Sequence, residues 1–100
     1  MAYTTVFENI VFIEGYHPEA KILAPIDLEL WGIGAQLKNL RDVKAAMVRV
    51  AVQNNGNCVV DFTYGQRSRY LAFDDVAFWG KGKAALLPQA TYREILEKKH

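Results

Sequence analysis

The chain has 100 residues, about half of them apolar, with 12 basic and 11 acidic side chains and a net charge of +1. That size suits one domain with one core, and the ordinary charged fraction excludes disordered and fibrous classes. Charges that nearly cancel give no global field for nucleic acid or an anionic membrane, and no run free of charge approaches the ~20 residues that span a bilayer.

Residues 3–13 are rich in β-branched and aromatic side chains, which predicts one or two strands with a break at Asn9. Residues 14–20 contain Gly15 and Pro18 and read as a loop. After a short apolar stretch at 22–24, residues 26–31 alternate, with Ile26, Leu28 and Leu30 on one face and Asp27, Glu29 and Trp31 on the other. This is a strand with one wet face, and Pro25, which cannot donate to a ladder, places it at an edge or at its start.

Asn39 followed by Asp42 resembles a capping arrangement, and Leu40, Val43, Met47 and Val50 recur at helical spacing. The helix stops at Asn55 and Gly56, and alanines 45, 46 and 51 allow close approach of a sheet. Residues 57–64 alternate again, with Cys58, Val60, Phe62 and Tyr64 assigned to one face. Residues 65–68 read as a turn or strand end. A further strand covers about 76–87, where Gly80 and Gly82 signal a bulge or a close backbone approach. After Pro88, Thr91 and Glu94 form a second capping-box pattern ahead of Tyr92, Ile95 and Leu96. A helix of about ten residues is marginal alone and must dock on something.

These elements predict an α+β fold: an antiparallel sheet packed on one central helix, in β-β-β-α-β-β order, with a short C-terminal helix. Residues 1–88 form the single domain, and residues 89–100 form the helix that docks on it or on a partner subunit. The lone cysteine, Cys58, cannot close an internal disulfide, and no signal segment is read ahead of the first strand, so a cytoplasmic protein is expected.

The stretch VKAAMVRVAVQNNGNCVVDFTY at 43–64, the later WGKGKAAL and the early IEGY at 13–16 resemble the small bacterial YbjQ-like proteins, a family that carries a heavy-metal-binding label. The resemblance covers about half the chain. It implies oligomeric assemblies of β-β-α-β-β units, hence a homo-oligomer, and carries over no catalytic residue. The chain departs from that pattern at Asn57 and Cys58, where the family's turn has small residues, and at Lys83, where the family has threonine.

No chemistry-bearing constellation is readable. Cys58, His17 and His100 stand at no metal-ligand spacing, and no cofactor is expected. Cys58 sits in an apolar alternation that suits a core thiol better than a nucleophile. Asp27 with Glu29, and Asp74 with Asp75, are paired carboxylates that solvated edge charges or a loop explain as well as acid-base work does.

The cluster that stands out is Tyr64, Gln66, Arg67, Arg69 and Tyr70, followed by Phe78, Trp79, Lys81 and Lys83. If their strands pair, rings and cations share ground, as in sheets that stack bases and contact phosphates. The site residues expected for a nucleotide or single-stranded nucleic acid are Tyr64, Arg67, Arg69, Tyr70, Trp79, Lys81 and Lys83. Aromatics in a core with solvated cations at strand ends are the favoured alternative, and Trp31 is a candidate interface residue. The expected function is that of a non-enzymatic assembly or binding module that self-associates through strand edges and the apolar face of the C-terminal helix.

Overall fold

A computed structural model of the chain describes residues 3–33, 39–68 and 75–98, with only the backbone of 31–33, 67, 68, 75 and 76. The elements follow in the order β1 (Thr4–Phe7), β2 (Ile10–Ile13), β3 (Lys21–Ile33), α1 (Leu40–Gln53), β4 (Cys58–Ser68), β5 (Asp75–Leu86) and α2 (Gln89–Lys98). One five-stranded sheet runs β1-β2-β4-β5-β3.

The expected element order is the observed one, but the sheet is mixed: β2 pairs with β4 in parallel, Val11 opposite Cys58 and Phe12 opposite Val59. The cause is the α1 crossover. The chain leaves β2, builds β3 at the far edge and returns through the helix, so β4 enters beside β2 running the same way. β5 then fills the slot between β4 and β3, antiparallel to both.

Local chemistry explains the boundaries. Glu8 and Asn9 both have positive φ, 49° and 66°, as a two-residue hairpin turn between β1 and β2 requires. At α1, the Asn39 side chain accepts from the Asp42 amide at 3.1 Å, and the Asp42 carboxylate accepts from the Asn39 amide at 3.0 Å. This is the capping box foreseen in the sequence, worth about 1 kcal/mol. The helix ends where Asn55 turns left-handed at φ 62°.

β2 is buried along its whole length, which explains its unbroken apolar run. Ile10 and Phe12 face α1 and join Ile26, Val43, Met47, Ala51, Val59, Phe62 and Ala84 in one core. Val11 and Ile13 face the other side, where Cys58, Val60, Ala85 and Leu87 form a second core under Tyr92 and Ile95 of α2. Each fully buried Phe, Ile or Val contributes about 1.5–3 kcal/mol.

Three expectations are corrected. The alternation assigned to residues 58–64 breaks at Asp61, whose φ is 51° and where the register with β5 shifts between Val60 and Thr63. The extra residue sends Phe62 to the α1 face while Cys58 and Val60 stay on the α2 face. β4 also does not end at Gly65 but runs on to Ser68. Finally, α2 starts at Gln89 with the Tyr92 amide bonded to the Pro88 carbonyl, and the Thr91 hydroxyl donates to Glu19 at 3.0 Å instead of capping the helix.

β3 is an edge strand, as Pro25 indicated. It begins before the proline, at Lys21, and absorbs it past an irregularity between Ile22 and Ala24.

Candidate binding surface

β3, β4 and β5 have 13, 11 and 12 residues. At about 3.3 Å per residue they reach roughly 36–43 Å, whereas the 14 residues of α1 span about 21 Å. The three long strands therefore form an arm that neither helix covers fully. Helix α1 lies close over Gly80, where an added Cβ would stand 2.6 Å from Val43 Cγ1 and 2.8 Å from Met47 Sδ. On the opposite face, α2 packs only over the end holding Cys58, Val60 and Ala85.

The open part of that second face carries Trp79, Lys81 and Lys83 at alternate positions of β5. Across β3, Asp27 lies in register with Lys81, and Glu29 with Trp79. Across β4, Gly65 lies in register with Trp79. The indole spreads over Gly65 so closely that a Cβ there would meet ring atoms at 2.6–2.8 Å. Lys81 Nζ stands 5.9 Å from the Trp79 ring centroid, within cation-π range. Asp27, Leu28, Glu29, Trp79 and Lys81 line an open cleft of about 510 Å³. Lys83 Nζ pairs with Asp61 Oδ2 at 3.2 Å, both half exposed. The face thus mixes signs around one aromatic ring, with no cationic excess among its described residues.

The sequence cluster is divided by the fold. Trp79, Lys81 and Lys83 come together, but Tyr64 lies on the α1 face, stacked on Phe62 at 5.1 Å and 25°. Phe62 meets Phe12 edge-on at 4.9 Å, and Lys44 Nζ lies 5.5 and 5.6 Å from the two phenylalanine rings. Phe78 packs against the same core. The Asp61 bulge produces this division by inverting the parity of everything after it in β4. Arg67 is described as backbone opposite Ala77. Arg69, Tyr70, Asp74 and His100, and the side chains of Trp31 and Asp75, lie outside the described residues.

Asp27 and Glu29 were legible as a wet strand face, but their place beside Trp79 depends on a register that spacing cannot supply. Gly65, read as a turn, is the seat of the indole. A glycine opposite a tryptophan on a neighbouring strand was the available signal, had the pairing been known.

Cys58 is fully buried, and burial pushes its thiol up from 9.0 to about 12. It is an unreactive core residue in the folded chain. His17 Nδ1 accepts the Glu19 amide at 3.1 Å in the loop before β3. Among the described residues no group of three or more His, Cys, Asp or Glu side chains gathers to hold a metal, and no helix is long and apolar enough to cross a membrane. Comparison with family models, with curated proteins and with solved structures finds no match for this chain.

Proposed function

We propose that the chain is a non-enzymatic assembly module whose exposed sheet arm joins a second copy of itself. The observation that carries this reading is the arm: three long strands, with β4 beyond Asp61 paired on one side only among the described residues and the Trp79 face covered by α2 only at the end holding Cys58, Val60 and Ala85. Lys81 and Lys83 stand beside the carboxylates of Asp27, Glu29 and Asp61, so the described residues of that face carry no large charge excess to repel a second copy. The resemblance to YbjQ-like proteins supports the same reading.

Nucleotide or single-stranded nucleic-acid binding fits this face less well. Lys83 is already paired with Asp61, and Lys81 stands across from Asp27, whereas phosphate binding needs a surplus of cations. The test is molar mass in solution by light scattering over a concentration series, with an oligonucleotide titration in parallel. Concentration-dependent or stable dimers support the module. A monomer that binds oligonucleotide with a steep salt dependence would replace this reading with the nucleic-acid one.

A further inference from the structure

The arm has two long edges, and they differ in how they are guarded. The β3 edge carries Pro25, an irregularity between Ile22 and Ala24, and the carboxylates of Asp27 and Glu29. Prolines, bulges and charges are the devices by which edge strands avoid pairing with other chains. Two β3 strands brought together antiparallel about Leu28 would set Asp27 of each copy against Glu29 of the other, a like-charge pair.

The other edge belongs to β4. Among the described residues its β2 side is satisfied only as far as Asp61, whose amide donates to the Gly15 carbonyl at 2.8 Å. Beyond that point β4 continues to Ser68 paired with β5 alone. The run Phe62-Thr63-Tyr64-Gly65-Gln66 contains no charge and no proline, and Tyr64 is 44% exposed. Past the bulge at Asp61, it has none of the guards that β3 carries.

Resting on the assembly reading above, we infer that this unguarded β4 edge is the docking strand, and that its occupant is β4 of a second copy, antiparallel about a two-fold axis at Tyr64. Two features favour a second copy. The uncharged run 62–66 faces itself about the axis with no like charges opposite one another, unlike the β3 edge. A net charge of +1 offers no repulsion between copies. The product is a six-stranded sheet, β3-β5-β4 continued by β4-β5-β3 of the partner. With strands about 4.8 Å apart, the two β5 strands lie roughly 14 Å from one another and both Trp79 clefts open on the same face.

A single cysteine at Tyr64, and as a control at Leu28, tests the assignment under mild oxidation of the otherwise unaltered chain. Buried Cys58 contributes no competing thiol. Residue 64 on the axis faces its own copy within disulfide reach, so the Tyr64→Cys variant is expected to form a covalent dimer at least tenfold faster than Leu28→Cys, which lies on the axis that β3 pairing would use. If the unsubstituted protein is a dimer by light scattering but Tyr64→Cys does not cross-link, or Leu28→Cys does so faster, the edge assignment is overturned while the assembly reading stands. If the unsubstituted protein is a monomer at every concentration, both fall. Cross-linking at β4 that oligonucleotides or foreign peptides do not compete away supports a second copy as the occupant, and loss of cross-linking to a peptide of unrelated sequence overturns it.

Discussion

Replacing Asn57 by alanine should loosen the corner where α1, β4 and α2 meet. The Asn57 side chain accepts the Leu87 amide at 2.8 Å and donates to the Leu87 carbonyl at 3.2 Å, so it clamps both polar groups of a residue that is 1% exposed. Its own backbone donates to the Ala85 carbonyl and accepts from the Val11 amide, each at 3.1 Å, so one residue ties β2, β5 and the start of α2 together. Alanine keeps the backbone bonds and orphans two part-buried groups at about 1–3 kcal/mol each, for a loss of about 2–6 kcal/mol. For a domain of this size that lowers Tm by at least about 8 °C. Urea unfolding followed by far-ultraviolet circular dichroism, at one fixed protein concentration, should show a lower midpoint with an unchanged slope. Asn57→Asp keeps the acceptor for the Leu87 amide and loses the donor to its carbonyl, so it should fall between the two. If Asn57→Ala unfolds within about 0.5 kcal/mol of the natural chain, the clamp does not hold this corner.

Gly80→Ala forces a methyl against the buried Val43 and Met47 side chains and should cost about 1–3 kcal/mol. Combining it with Val43→Ala should cost less than the sum of the two, measured by a double-mutant cycle in urea. Gly65→Val evicts the indole from its seat on β4, so in a Trp31→Phe background the Trp79 emission should shift to longer wavelength with little change in far-ultraviolet signal. Cys58 holds its proton until about pH 12 when folded, whereas the unfolded thiol ionises near 9.0. Its contribution to stability is therefore full below pH 9 and falls by up to about 1.4 kcal/mol per pH unit as pH rises toward 12. The Cys58→Ala chain should lack that slope when the two are compared by denaturant unfolding from pH 8 to 11.

The sequence made some features plain and hid others for physical reasons. The α1 cap was legible because Asn39 and Asp42 act across three residues, and the β1-β2 break was legible because asparagine tolerates positive φ. The wet face of β3 was legible because alternation is local. The parallel β2-β4 pair was not, since it depends on where the crossover returns the chain. The Asp61 bulge was the costliest omission: aspartate accommodates a left-handed backbone yet gives no sign in the alternation that it does so. That one residue moved Phe62 and Tyr64 to the opposite face and divided the aromatic and basic cluster. Trp79, Lys81 and Lys83 survived as a group because all three lie on one strand past no irregularity of their own.

The most direct measurement is the absolute molar mass of the natural chain and of Thr63→Lys/Gln66→Lys, side by side at the same concentrations. Both positions are exposed, so the lysines leave the fold intact and give β4 the kind of guard that β3 already has. The account predicts twice 11.3 kDa for the natural chain and 11.3 kDa for the variant. A natural chain that stays at 11.3 kDa at the highest concentration reached, or a variant that remains as large as the natural dimer, would contradict it.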